Sequence, residues 1–209
     1  MPFSQQHADA ACNFFEKVLK HSGEWYGTPF TLCPWQEEAL QIIFGTLDDD
    51  EERLTKLAYL EVPKKSGKTE FVAGLVLYFL TTDALHGCEV YGAASVQRQA
   101  LNVYRAATAM VEQSPILSKR LRLLRSTHRI IKRSDPNSFY AAIAADGDFS
   151  DGVNPKFVVA DEVHRWKTRK QMENWDVLRL GGIARKHETL TIGIKTAGVV
   201  NESPLAWRL

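Results

Sequence analysis

The sequence predicts an α/β fold: a mostly parallel central sheet flanked by helices, with a small helical part at the N-terminus. Three observations predict it. Short apolar runs alternate along the chain with longer stretches whose apolar residues recur at helical spacing, the pattern of parallel strands joined by crossover helices. One such run, Leu57 to Val62, leads through a loop ending Ser66-Gly67-Lys68-Thr69 into a very apolar helix. Another, Phe157 to Ala160, ends in the acidic pair Asp161-Glu162.

The elements follow in order. Ala11, Phe14, Phe15, Val18 and Leu19 form a helical stripe across Ala8 to Lys20. Gly23, Gly27 and Pro29 mark a turn-rich stretch, and Pro34 opens a second helix that ends at Gly45. The first 33 residues read as a helical extension of one domain over 1–209. The acidic run Asp48 to Glu52 reads as a solvated loop. After the first core strand and its loop, Phe71, Leu75 and Phe79 line one ridge of a helix, and Val72, Val76 and Leu80 the next. Glu89 to Ala94 is a second strand, followed by a helix through Leu101, Tyr104, Ala107 and Val111 that Ser114-Pro115 breaks. A basic helical stretch is expected from Ile116 to Leu124. Ile130-Ile131 and Phe139 to Ile143 read as strands around a hairpin turn at Ser134-Asp135-Pro136-Asn137. A polar loop from Gly147 to Pro155 precedes the acidic strand. A helix is then expected over Trp166 to Leu180, stopped by Gly181-Gly182, with a last strand over Leu190 to Ile194.

The loop and the acidic pair carry the chemistry. N–H groups at the start of a helix suit an anionic phosphate. Lys68 can reach β- and γ-phosphates, and the Thr69 hydroxyl can bind Mg²⁺. Asp161 can hold Mg²⁺ through water, and Glu162 can polarise an attacking water. The full phosphate-loop pattern has glycine five positions before Gly67, where this chain has Val62, so the match is partial and rests on its strand–loop–helix setting. A further strand–helix unit separates the two motifs. That spacing suits phosphate-loop NTPases with a catalytic glutamate better than simple nucleotide kinases.

A formal net charge of +1 favours no class of partner. Cys12, Cys33 and Cys88 have no CxxC spacing and suit a reducing compartment, and His86 with Cys88 lacks partners at zinc spacing. The longest apolar run, Phe71 to Leu80, is too short to span a bilayer, and no basic-then-apolar signal opens the chain. The expectation is a cytoplasmic protein without membrane contact.

Together these residues resemble the ATPase domain of tailed-bacteriophage terminase large subunits, the motors that drive DNA into empty capsids. The resemblance rests on Pro34-Trp35-Gln36, Val62 to Thr69, Gln99-Ala100, Asp151 to Pro155, Asp161 to His164 and Thr196-Ala197-Gly198, in that order and spacing. It implies ATP hydrolysis with Mg²⁺. Ser66, Gly67, Lys68 and Thr69 would hold phosphates, Thr69 and Asp161 the metal, and Glu162 the water. Gln36 would read the adenine edge, since a carboxamide both donates and accepts. Thr196-Ala197-Gly198 would sense the γ-phosphate. It also implies double-stranded DNA, a capsid portal, a small terminase subunit and further copies in a ring as partners, in the cytoplasm of an infected bacterium.

Two departures stand out. Many relatives carry arginine four residues before the loop lysine; Lys64 stands here, and an ammonium lacks the bidentate fork. Lys64 is therefore the candidate cation at that place. Family members usually add a C-terminal nuclease, for which this chain has no room, so nuclease activity is not expected. The cationic run Lys119 to Arg133 admits three readings: DNA phosphate contacts, an arginine supplied to a neighbour's ATP (Arg125 or Arg129), or a solvated face. His164 is either packed behind the sheet or part of coupling, and Trp166 and Trp175 read as core or interface aromatics, with base stacking the lesser reading. A helicase-type translocase and a nucleotide-gated docking module with little turnover are the competing functions.

Overall fold

The computed structural model describes residues 2–82, 86–147, 152–182, 185 and 189–196. Its centre is a seven-stranded sheet in the order β1-β7-β6-β2-β5-β4-β3. The strands are β1 (Leu57–Glu61), β2 (Glu89–Ala94), β3 (Leu121–Leu124), β4 (Arg129–Lys132), β5 (Asp135–Ala144), β6 (Pro155–Asp161) and β7 (Leu190–Lys195). From β1 to β5 all neighbours are parallel; β4 and β3 add an antiparallel edge. The last strand in sequence, β7, lies between the strand before the phosphate loop and the strand carrying the acidic pair.

The helices are α1 (Gln5–Val18), α2 (Pro34–Gly45), α3 (Lys68–Thr82), α4 (Gln97–Gln113), α5 (Pro115–Arg120) and α6 (Arg169–Gly181). The sheet is buried on both faces, as its uninterrupted apolar strands require. Alternate residues of β6 divide between two cores. Phe157 and Val159 join α1 to α5 on one side, and Val158 and Ala160 join Trp166, Trp175 and Leu178 on the other. Most of α3 is buried, which explains its apolar residues all round. Helix α1 belongs to the same core: Phe15 is fully buried against Phe30 and Phe71, with ring centroids 5.4 and 5.6 Å away. Burying that ring stabilises the fold by roughly 2 kcal/mol. Gly74 on α3 leaves room for it, since a Cβ there would lie 2.3 Å from the ring.

Three local expectations differ from the structure. The basic stretch stays helical only to Arg120, because Leu121 turns extended and starts β3, which pairs with β4. Asp135 to Asn137 are not a turn tip but the start of β5. The Asp135 carboxylate accepts from Ser138 Oγ (2.6 Å), Gly87 N (2.8 Å) and Asn137 N (3.2 Å), which pins this end of the strand. Helix α6 begins at Arg169, not Trp166, because Thr168 and Gln171 form a reciprocal capping box there. Trp166 is fully buried ahead of it and meets Trp175 edge to face at 6.1 Å.

Candidate active site

The phosphate loop runs from the end of β1 to the start of α3. Lys65 (φ 61°) and Gly67 (φ 82°) both take left-handed backbone, a conformation natural to glycine and strained for lysine. The loop is braced from inside and from α2. Ser66 Oγ donates to Pro63 O (2.8 Å), and the Trp35 indole N–H donates to Ser66 O (3.2 Å). Trp35 in turn packs on Phe71 at 5.0 Å.

Gln36 is buried beside the loop. Its Oε1 accepts from Cys33 N (3.1 Å), capping α2, while its Nε2 lies where a Cβ on Gly67 would come within 3.0 Å. Position 67 is thus held to glycine by backbone angle and by space. Lys68 Nζ donates to Pro63 O (2.9 Å) and Val62 O (3.3 Å), folded onto its own loop. Thr69 and Lys64 are exposed.

Asp161 ends β6 on the same side of the sheet as α3, in phase with Phe157 and Val159. Burial, and then the neighbouring Glu162 charge, push its carboxyl up to about 6, while the Lys68 charge acts to lower it. Lys68 and Asp161 are therefore within electrostatic reach. Glu162 has left-handed backbone (φ 50°, ψ 49°), which turns the chain sharply out of the strand into a 3₁₀ turn over Val163–Arg165. Its Oε2 accepts from Thr196 Oγ1 (3.2 Å) and Thr196 N (3.4 Å), and His164 Nδ1 lies 3.1 Å away. Burial holds the His164 imidazole below its ordinary pKa, against the pull of Glu162.

Strand β7 reaches both halves of the site. Val62 N donates to Lys195 O (3.2 Å), and Lys195 Nζ pairs with Glu61 at 2.9 Å. One residue later Thr196 holds Glu162. The structure so brings Gln36, Ser66, Gly67, Lys68, Asp161, Glu162 and Thr196 into one region at the C-terminal ends of β1, β7 and β6. Ala197 and Gly198 lie outside the described residues, as does Asp151. The hydroxyl of Thr69 and the carboxylate of Asp161 are hard oxygen donors of the kind Mg²⁺ takes.

The two arginines singled out in the basic run differ in setting. Arg125 is exposed and pairs with Glu112; Arg129 lies over Phe139, its guanidinium carbon 3.8 Å from the ring centroid. Residues the sequence did not single out also shape the site. Glu70, in the first turn of α3, accepts from Ser22 N (2.6 Å), Ser22 Oγ (2.7 Å), Gly23 N (2.7 Å) and His21 Nδ1 (2.9 Å). His21 stacks on Phe30 at 4.5 Å. No local pattern signals this clasp, because its partners stand 47 to 49 residues away.

Residues 34–206 match the family model described as the terminase large subunit, ATPase domain. The terminase large subunit of Enterobacteria phage HK97 is 28% identical over 141 residues, 67% of this chain and 27% of that protein. The crystal structure of the HK97 large terminase superposes with a TM-score of 0.77 at 22% identity, over 95% of this chain and 40% of that one. The bacteriophage T4 UvsW helicase shares the fold at a TM-score of 0.60 and 11% identity, over 98% of this chain and 64% of that one. The chain spans about a quarter of the curated relative's length. With a family model matching residues 34–206, most of its length, the chain belongs to the ATPase-domain family of terminase large subunits.

Proposed function

We propose that this chain hydrolyses ATP with Mg²⁺ and that the hydrolysis drives double-stranded DNA into a viral capsid. The observation that carries the reading is the grip of Thr196 on Glu162. It puts the Glu162 carboxylate and the end of β7 in direct contact, one residue from the hydrogen bond that joins β7 to the phosphate loop.

In this reading the backbone N–H groups around Ser66 and Gly67 cradle the phosphates. Lys68 exchanges the carbonyls of Val62 and Pro63 for β- and γ-phosphate oxygens. Thr69 and Asp161 would hold Mg²⁺, which would neutralise charge on the phosphates. Glu162 accepts a hydrogen bond from the attacking water and aligns it on the γ-phosphorus. Doing so competes with its bond to Thr196, so the state of the γ-phosphate is felt at the end of β7. Gln36, with its carbonyl oxygen committed to capping α2, offers its amide N–H to the adenine edge. Lys64 adds an exposed positive charge beside the loop. The partners of the working motor are DNA, a capsid portal, a small terminase subunit and further copies of the chain, in the cytoplasm of an infected bacterium. The likeness to a helicase is one of fold alone and does not favour that alternative.

The test is phosphate release from ATP and Mg²⁺ over a series of protein concentrations. Parent turnover per chain is expected to rise with concentration. Glu162→Gln is expected to bind ATP but lose about 10²–10³-fold in turnover, the scale of removing one precisely placed polar catalytic group. Lys68→Ala is expected to lose turnover together with productive phosphate binding. Normal turnover in the glutamine variant would sink the role of Glu162. ATP binding without turnover in the parent chain would favour a docking module instead.

A further inference from the structure

The basic run resolves into a cavity. Thr81, Lys119, Arg120, Lys132, Arg133 and Ser134 line a space of about 470 Å³. Lys119 and Arg120 end α5, Lys132 ends β4, Arg133 and Ser134 lead into β5, and Thr81 comes from the last turn of α3. The cavity therefore lies at the end of the sheet opposite the phosphate loop. Four of its lining residues are cations, and no carboxylate lines it among the described residues. Asp135, next in sequence, is turned into the sheet by Ser138, Gly87 and Asn137. Arg133 is fixed by donating from Nε to Leu121 O at 2.9 Å.

The complementary feature is the acidic loop before β1. Asp48 closes it, accepting at Oδ1 from Asp50 N (3.1 Å) and Glu52 N (2.9 Å), while Leu47 and Arg53 form a bridge beneath. Glu52 acts on Arg53 and, with Asp48, on Lys56 within the chain. Asp49, Asp50 and Glu51 stay exposed on a loop of fixed shape. Thr191 N donates to Lys56 O (2.9 Å), placing this segment at the starting ends of β1 and β7.

Acidic loop and basic cavity thus occupy the same end of the sheet but opposite edges, β1 and β3/β4. Six strand spacings separate those edges by about 29 Å, so the two cannot meet within one chain. We infer that the acidic loop of one copy docks into the basic cavity of the next, a head-to-tail contact between copies of this chain. Such a contact leaves both partner surfaces free at the two ends and so propagates into a ring or a filament. Opposite charges on the paired patches fix the register, and like charges reject the reversed pairing. The same edge-to-edge placement carries the β3–β4 turn, residues 125–128, toward the neighbour's phosphate-loop end, because that turn lies at the loop end of the sheet. The inference rests on the assembled-motor reading for the reason the copies meet, and on charge and topology for where.

The test is charge reversal read by sedimentation at low salt, with and without nucleotide. One variant reverses the loop (Asp49→Lys, Asp50→Lys, Glu51→Lys) and another the cavity (Lys119→Glu, Arg120→Glu, Arg133→Glu); all six side chains are exposed, so both should fold. Each alone is expected to weaken self-association at least about tenfold, while an equal mixture of the two, or both sets in one chain, restores it. Association that ignores both reversals, that the mixture fails to restore, or that the parent chain lacks at every concentration overturns the inference. A cavity reversal that weakens binding of a duplex oligonucleotide and leaves association intact overturns it too, by assigning the cavity to nucleic acid. Phosphate release measured in the same samples separates the two proposals: turnover that persists while association is charge-blind removes only the interface.

Discussion

Asp161 sits at the end of a buried strand, and its environment favours the protonated acid. Its ordinary pKa is 3.8 and the fold raises it to about 6. A raised carboxyl pKa means that the folded chain holds its proton more tightly than the unfolded chain. Stability therefore falls as pH rises from about 4 through about 6, then stays level, a change of about 2–3 kcal/mol. Asp161→Asn, which mimics the neutral acid, is expected to be more stable than the parent at pH 8 without metal. The gain should vanish below pH 4, and urea unfolding across that range checks it. The same variant should lose ATP turnover, so stability and activity part company at one atom. Gly67 shows a different kind of constraint. Alanine there needs left-handed backbone, a cost of roughly 1–2 kcal/mol, and presses on Gln36 Nε2. Gly67→Ala is expected to weaken nucleotide affinity at least tenfold by titration calorimetry, with the melting temperature only slightly lower. The Gly-Lys-Thr signature was legible because its requirements are local. The capping role of Gln36 was not legible, because its capping box starts from Cys33 and not from the usual serine or threonine.

Among the elements, α3 depends on more than its apolar ridges. The Glu70 carboxylate joins its first turn to residues 21–23, directly after Thr69. Burial acts to raise its pKa, but the hydrogen bonds from His21, Ser22 and Gly23 together outweigh it and leave the pKa lowered. The sign is therefore the reverse of that for Asp161: this clasp contributes stability above the ordinary value of 4.5 and loses it as pH falls through the folded value. Glu70→Gln keeps one acceptor oxygen and cannot serve all four donors, so a loss of about 1–3 kcal/mol is expected in denaturant unfolding. A loss near zero would mean that residues 21–23 do not anchor α3. The sequence showed α3, β1, β2 and β6 clearly, because long helical stripes and buried strands carry strong periodic signals. It misread residues 121 to 124 as helix. Leu121 to Leu124 and Arg129 to Lys132 are short strands with charged residues among the apolar ones, and they become strands only by pairing with each other and with β5.

For the whole molecule, the order of the sheet decides what can be removed. Strands β1 and β6 have no hydrogen bonds to each other; β7 bonds to both. A fragment ending at residue 181 would keep the phosphate loop and the acidic pair in its sequence but leave β1 without a sheet partner. It is expected to bind no nucleotide and to show exposed apolar surface by dye binding; nucleotide binding at parental affinity by that fragment would refute the dependence on β7. This level was the least legible beforehand. Alternation of strands and helices announces a parallel sheet, but the order of strands is set by crossovers between residues far apart, which no window of sequence contains.

The late position of β7 also imposes a schedule on synthesis. The ribosome has made the phosphate loop when about a third of these residues are joined, and the acidic pair about ninety residues later, yet their strands remain unjoined until the stretch from Leu190 to Thr196 follows. Until then β1 waits as an unpaired edge, the kind of surface that recruits foreign strands. A growing chain therefore carries its phosphate loop for about 120 further residues of synthesis before the strand that joins it to the acidic pair exists.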